Sequence, residues 1–291
     1  MKDSIVSFGE IVWDQFEDVS ILGGAPLNVA YHLHAAGWPV QIVSRIGMDE
    51  LGRETLQQIK QLGLSITTIQ QDTDLPTGRV QVFFDEHNEP GFEIAAPAAW
   101  DNIEVDPVLS QLEDAPFHLV FGTLAQRNET SRSSLHLLLK KADKKFYDVN
   151  LRPPYTKPEQ VLASLKAANI VKVNREELMS LADWFMKRKK GLVEDFGREL
   201  LISFDLSLLA VTNGDKGAQL ITRDELVEHR GFQVKVNDPV GSGDAFFAAL
   251  INGYLSGLPL DECLQEANRQ GAWVASQQGA TPVYPKENKG G

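Results

Sequence analysis

Toward the end of the chain, Asn237-Asp238-Pro239-Val240-Gly241-Ser242-Gly243-Asp244 runs directly into Ala245-Phe246-Phe247-Ala248-Ala249-Leu250-Ile251. Two glycines flank a small residue just before a helix that is apolar nearly all round. The unpaired backbone N–H groups of such a helix start, together with the positive end of its dipole, make a seat for phosphate oxygens. Asp244 runs against that charge logic. A carboxylate in the turn that would hold phosphates repels them, unless its task is to accept a proton from an attacking hydroxyl. The plainer alternative is that Asp244 caps the helix and the glycines make a turn. The octapeptide alone supports both.

A second glycine turn, Gly23-Gly24-Ala25-Pro26-Leu27-Asn28-Val29-Ala30, also opens a helix, with Asn28 in the first turn. Side chains there face the crevice beyond the carboxyl ends of the strands, where open α/β sheets bind ligands. Asn28 carries a donor and an acceptor and suits a sugar hydroxyl. Asp14, in Phe8-Gly9-Glu10-Ile11-Val12-Trp13-Asp14, follows the first apolar run and could accept from two adjacent hydroxyls. Taken singly, a Gly-Gly turn is only a turn and a loop aspartate is only solvated.

The elements that must position these residues alternate. Ile5 to Phe8 reads as a strand, Pro26 to Ala36 as a helix, Gln41 to Ser44 as a strand and Gly52 to Leu62 as a helix. That βαβα rhythm belongs to a parallel sheet covered by helices on both faces. Pro26 near the first helical position and Gly37 just past the last punctuate the first helix. Thr77 to Phe84 and Gly91 to Ala95 break the rhythm and read as a hairpin turning at Asp85 to Asn88, standing off the main sheet. Alternation resumes with strands His118 to Phe121, Lys145 to Val149, Ile170 to Val173, Leu208 to Thr212 and Gln219 to Ile221. The helices between them are Arg132 to Lys141, Pro158 to Ala167 and Arg175 to Leu181, and two longer ones, Asp244 to Leu255 and Leu260 to Gln277, close the chain. Lys187-Arg188-Lys189-Lys190 reads as a solvated helix end and Lys286 to Gly291 as a frayed tail.

The 291 residues contain no long linker, which fits one large α/β domain, residues 1–291, with excursions. Twenty-eight basic against 40 acidic residues leave a net charge of −12, which argues against nucleic acid as a partner. Any anionic ligand must be held locally. No apolar run approaches the ~18 residues of a membrane span, and the start carries no signal-peptide pattern, so a cytoplasmic protein without a membrane partner is expected. Cys263 is the single cysteine, which rules out an internal disulfide and a thiolate metal cluster and reads as a small apolar helix residue.

Taken together the segments resemble the ribokinase/PfkB carbohydrate kinases. Gly23 to Ala30 with Arg45-Ile46-Gly47-Met48-Asp49-Glu50-Leu51-Gly52 is similar to that family's N-terminal signature, and Asp238 to Phe246 to its C-terminal Asp-Thr-x-Gly-x-Gly-Asp signature. Further matches are Gly122-Thr123-Leu124-Ala125, Asp148-Val149-Asn150-Leu151-Arg152, Asn174-Arg175-Glu176-Glu177 and Val211-Thr212-Asn213-Gly214-Asp215-Lys216-Gly217. The resemblance implies a ribokinase-like fold with a small β-sheet lid, built from about residues 11–22 and 66–98, that closes over a sugar and excludes water. It implies ATP with Mg²⁺, Asp244 as base, and the N–H groups of Gly241, Ser242 and Gly243 as an anion hole. Asp14, Gly24, Asn28 and Arg152 are then expected at the sugar. Asn174, Thr212, Gly214, Gly217, Gly243 and Asn268 are expected at the nucleotide. Glu177 is expected to act on Mg²⁺ through water. In relatives the loop at Asp238 also supports a monovalent cation, here K⁺, and lids pair across a two-fold axis, which implies a homodimer. Pro239 and Val240 depart from the threonines usual after that aspartate, and Ser242 from alanine.

The Gly-Gly-Ala-Pro-x-Asn form, the Pro76-Thr77-Gly78 turn and Asp148 to Arg152 lean toward fructokinase-like members. Sugar-acid and nucleoside kinases are the alternatives within the family. A keto-acid substrate would need a second cation beside Arg152, with Arg79 or Arg127 as candidates. A dinucleotide oxidoreductase is disfavoured, since Gly9-Glu10-Ile11 lacks G-x-G-x-x-G. Phosphates cannot be held by a Walker A loop or a protein-kinase H-R-D, which are absent. A sugar-binding protein that has lost the chemistry would not need Asp244.

Overall fold

The computed structural model describes residues 2–16, 19–84, 90–106, 116–186 and 191–285. The expected turn at 85–88, the basic cluster 187–190 and the tail 286–291 lie outside the described residues.

Near-continuous apolar runs, each bounded by turn residues, form strands buried on both faces. In chain order the strands are β1 (Ser4–Phe8), β2 (Val12–Gln15), β3 (Ser20–Gly23), β4 (Val40–Gly47), β5 (Ile69–Asp72), β6 (Gly78–Phe84) and β7 (Pro90–Ile94). They continue as β8 (Phe117–Gly122), β9 (Lys145–Asp148), β10 (Ile170–Asn174), β11 (Leu208–Thr212), β12 (Ala218–Ile221) and β13 (Leu226–His229). The helices are α1 (Ala25–Ala35), α2 (Glu50–Gln61), α3 (Glu129–Lys141), α4 (Pro158–Ala167), α5 (Arg175–Leu181), α6 (Val193–Ser203), α7 (Ser242–Leu255) and α8 (Leu260–Ala275).

Among the described residues, nine strands form the main sheet in the order β13-β12-β11-β10-β9-β8-β1-β4-β5. From β5 to β11 neighbours are parallel, and β12 and β13 add antiparallel strands at one edge. Alternation along each strand splits the core. Val6, Phe8, Tyr147, Val171 and Val173 pack with Leu135, Val161, Leu178 and Phe196 of α3 to α6. Ile5, Phe146 and Ile170 pack with Leu27, Val29, Phe247, Leu250 and Leu264 of α1, α7 and α8. The site grows on this second face.

A separate four-stranded sheet has the order β3-β2-β6-β7, and its β6–β7 pair is the expected antiparallel hairpin. The lid excursion expected over 66–98 is narrower in the structure, because β5 pairs with β4, Ser44 against Ile69, at the edge of the main sheet. That pairing buries Ile69 and lets the Asp72 carboxylate accept the N–H groups of Asp74 and Leu75 at 2.9 and 2.8 Å. The small sheet therefore comes from 12–23 and 78–94.

Candidate active site

The turn before α7 is built by close approach. Gly241 is the N-cap residue at φ 76°, a left-handed conformation, and a Cβ there would lie 2.3 Å from Cβ of Ala280. The Asp238 carboxylate fastens the turn to the C-terminal segment by accepting from the N–H of Val240 and of Gly279, each at 3.0 Å. The capping alternative for Asp244 fails here, because Gly241 holds the cap position and no side chain makes a cap bond. Asp244, in the first turn of α7, instead accepts from Nδ2 of Asn28 at 2.8 Å. Two glycine turns 216 positions apart thus meet head to head.

The N–H of Ser242 is engaged at 3.3 Å by the carbonyl of Pro239. One of the three expected anion-hole donors is therefore shared with the turn itself. The N–H groups of the first helical turn that follow have no acceptor inside the helix.

On the other side of Asn28, Gly24 caps α1 at φ 116°, and a Cβ there would lie 2.5 Å from the Glu10 carbonyl. A Cβ on Gly23 would lie 3.1 Å from Oδ2 of Asp14, so the Asp14 carboxylate leans over the Gly-Gly turn. Glu10 is only 4% exposed. Its Oε2 and the Oδ1 of Asn28 are buried acceptors without a hydrogen-bond partner. Burial pushes Glu10 up to about 7 and Asp14 and Asp244 each up to about 6. The Asp148 charge adds to the rise at Asp244, while the Asn28 bond, Lys172 and Arg152 oppose it. Arg152, itself exposed, is the common counter-charge of Glu10, Asp14 and Asp244.

Beyond the α7 turn lies a cleft of about 580 Å³. Asn174, Thr212, Gly214, Gly217, Ser242, Gly243 and Asn268 all line it, so every residue expected at the nucleotide is brought to one place. Gly217 at φ 87° has no room for a Cβ, which would fall on the His229 carbonyl. Phe232, Val234, Val236, Phe246 and Ala272 supply an apolar wall. That composition suits a flat heteroaromatic ring with phosphates directed toward the glycine turn.

Glu177 does not line the cleft. It forms a capping box with Asn174: Glu177 Oε2 accepts from the N–H of Asn174 at 2.8 Å and Asn174 Oδ1 accepts from the N–H of Glu177 at 2.7 Å. Its Oε1 accepts from the N–H of Leu151 at 2.8 Å, which pins the segment leading to Arg152. Among the described residues no group of three or more His, Cys, Asp or Glu side chains could hold a metal ion. Each Glu177 oxygen keeps a second lone pair for a metal-bound water. This donor set fits Mg²⁺, which keeps several waters and relies on substrate phosphates.

Two charged features carry no role in the sequence motifs: Glu10, which lies between the first strand and Asp14, and the pair Lys172 and Asp148, of which Asp148 only opens the Asp148 to Arg152 match. Lys172 donates to both oxygens of Asp148 at 3.0 and 2.9 Å, with their side chains 10% and 6% exposed. The available signal was a lysine inside Ile170-Val171-Lys172-Val173, since a buried strand seldom carries an unpaired charge.

Known proteins resemble this chain over nearly its whole length. The chain is 31% identical to a protein named Probable fructokinase-4 from Arabidopsis thaliana, over 99% of this chain and 95% of the relative. An uncharacterized sugar kinase from Pyrococcus horikoshii, solved in complex with ATP, superposes with a TM-score of 0.81 at 26% identity, covering 95% and 94% of the two chains. A double mutant of fructokinase from Vibrio cholerae O395, solved with fructose, ADP and potassium ion, shares the fold with a TM-score of 0.81 at 24% identity, over 97% and 95%. The profile of the pfkB family carbohydrate kinases matches residues 1–287. With its two glycine turns joined through Asn28 and Asp244 and its whole length covered by that match, the chain belongs to the pfkB family of carbohydrate kinases.

Proposed function

We propose that this kinase transfers the γ-phosphoryl group of ATP to a hydroxyl of a small neutral sugar, with fructose the first candidate. The observation that carries the reading is Asp244, half-buried in the first turn of α7 and bonded to Asn28 across the crevice. Asp244 takes the proton of the attacking hydroxyl. The hydroxyl oxygen forms its bond to the γ-phosphorus while the bond from that phosphorus to the β,γ-bridging oxygen breaks, and its electron pair leaves with ADP. Asp14, Asn28 and Glu10 hold the other hydroxyls, the small sheet excludes water, and Arg152 balances the carboxylates. Gly241, Ser242 and Gly243 cradle the phosphoryl group, and Asn174, Thr212, Gly214, Gly217 and Asn268 surround the nucleotide. Glu177 would hold a water of bound Mg²⁺, which would supply charge neutralisation on the phosphates.

A sugar acid is disfavoured by the cations available. Arg127 is bidentate to Asp101, at 2.7 Å through both Nε and Nη2, and lies 3.8 Å from the Trp100 ring centroid. Arg79 leans toward Asp49 at 3.9 Å. Arg127 spends Nε and Nη2 on Asp101 and keeps only a buried Nη1 without a partner, so a substrate carboxylate beside Arg152 would have to draw on that one nitrogen or pull Arg79 away from Asp49. The test is coupled ADP release over fructose, ribose, 2-keto-3-deoxygluconate and a nucleoside. Highest kcat/KM for fructose or ribose is expected, and preference for the sugar acid or nucleoside would overturn the acceptor assigned.

The same reading includes K⁺ beside the Asp238 loop, checked by comparing turnover in KCl with tetramethylammonium chloride. It also includes a cytoplasmic homodimer joined through the small sheet, supported by the exposed Ile21, Phe83 and Phe92. Light scattering that finds only a 32.2 kDa species at micromolar concentration would refute the dimer. Among the described residues no helix is long and apolar enough to cross a membrane.

A further inference from the structure

We propose that the buried Lys172–Asp148 pair is a positioning device for phosphoryl transfer: Asp148 holds the Lys172 ammonium beneath the Gly241-Ser242-Gly243 turn, where its charge keeps Asp244 ionised and reinforces the phosphate seat. The proposal rests on the reading of Asp244 as base.

The placement follows from the strands. In the parallel register of β9 and β10, Lys172 stands opposite Asp148, and both point to the face covered by α1 and α7, as Phe146 and Ile170 do. Both lie near the carboxyl ends of their strands, where α/β sheets place ligands. Lys172 Nζ is 3.5 Å from where a Cβ on Gly243 would begin and 6.0 Å from the Phe247 ring centroid. Asp148 occupies two of its three ammonium protons. Gly243 thus leaves the ammonium next to the turn instead of screening it behind a side chain.

A buried ion pair is a poor way to gain stability, since apolar side chains of like volume serve as well or better. The Lys172 charge is felt by both Asp244 and Glu177, which gives the pair another use. Five groups act on Asp244 from the elements around it: Asp148 on β9, Lys172 on β10, Asn28 on α1, Arg152 after β9 and Glu10 after β1. Asp148 raises the Asp244 carboxyl, and Lys172 lowers it. A device built this way responds with opposite signs to loss of either member, whereas a pair that only fills space does not.

The experiment follows the Asp244 titration in the unliganded protein by NMR with ¹³C-carboxyl-labelled aspartate, the resonance being identified by its loss in Asp244→Asn. The same proteins are assayed for turnover with ATP and D-fructose. Lys172→Met is expected to move the Asp244 midpoint up by about a unit, and Asp148→Asn to move it down. Turnover of Lys172→Met is expected to fall about tenfold at pH 5, below the parent midpoint of about 6, where one unit changes the ionised fraction nearly tenfold, and only about twofold at pH 7. Midpoints that stay put or move in the same direction overturn the proposal, as does a Lys172→Met turnover within twofold of the parent at pH 5. Where loss of one charge unfolds the chain by circular dichroism, the double variant Asp148→Asn/Lys172→Met, which strands no charge, carries the test. It is expected to fold with an Asp244 midpoint near the parent's, because the two opposite effects are lost together, but with the ATP KM raised about tenfold, because the ammonium 3.5 Å from the Gly243 Cβ position is gone; a parent-like ATP KM overturns the proposal. An Asp244→Asn protein that keeps its turnover overturns the base assignment instead, and leaves the NMR result to judge the pair.

Discussion

The two halves of the crevice are built on opposite principles. On the side proposed for the sugar, Glu10, Asp14 and Asp244 crowd carboxyl groups into a desolvated space that raises all three pKa values. On the side proposed for the nucleotide the walls are glycine turns, small residues and the apolar Phe232, Val234, Val236 and Phe246. One half is poised electrostatically and the other is shaped. Substitutions on the first should change proton bookkeeping, and substitutions on the second should change fit alone.

The sharpest way to break this comparison is Asp244→Asn. Loss of a positioned general base is expected to lower kcat by roughly 10²–10⁴-fold while both substrates still bind, as measured by coupled ADP release and by calorimetry. A fall of less than about tenfold would sink the electrostatic account of the sugar side. Asp14→Ala comes next. Removing a charged hydrogen-bond partner costs about 1.5–3 kcal/mol, so the sugar KM should rise roughly ten- to hundredfold with the ATP KM nearly intact. An unchanged sugar KM would remove Asp14 from the site.

Ala272→Phe probes the shaped half. Filling the cleft beside α7 is an overpacking cost of about 1–3 kcal/mol, expected to raise the ATP KM about tenfold. Sugar KM and the pH profile should not move, and a shifted acid limb would mean that the halves are not separable. In the parent, the pH profile tests the base directly. With Asp244 near 6, kcat should be half-maximal at about that pH and level above it, because the ionised form is the active one. A profile flat down to pH 5 would contradict it.

The smallest effect concerns stability. A carboxyl whose pKa is raised from 3.8 unfolded to about 6 folded favours the folded state fully below pH 4, and this support is lost as pH rises through 6. Asp244→Asn should therefore melt several degrees above the parent at pH 8, with the gap closing toward pH 4, as read by thermal denaturation. An equal gap at both pH values would show that the ionised carboxylate is not strained in the fold.

Much of the architecture was legible because local rules wrote it. The apolar run Ile5 to Phe8, Pro26 at the start of α1 and the hairpin of β6 and β7 each carry their cue within a few residues. The elements passed over had weaker cues. In β5, Ile69-Gln70-Gln71-Asp72 has a single apolar side chain and becomes a strand only by meeting the free edge of β4. The short β13, Leu226 to His229, likewise depends on pairing with β12. The amphipathic α6 has a readable stripe, Phe196, Leu200 and Leu201, but starts without a side-chain cap and carries Gly197 inside it, which weakens its local cue.

For the site, the sequence by itself determined where backbone must be glycine. Gly24 and Gly241 adopt positive φ and touch the main chain of Glu10 and Ala280 respectively, so no other residue fits and the two turns announce themselves. It also placed Asp14, Asn28 and Asp244 by their position after a strand or at a helix start. Only the tertiary structure decided that Asn28 donates to Asp244 instead of Asp244 capping its own helix, and that Lys172 and Asp148 neutralise each other beneath Gly243. The physical reason is range. Turn and helix preferences act between residues a few positions apart, whereas a hydrogen bond across 216 positions or an ion pair across a strand register exists only after the sheet has set which side chains share a face.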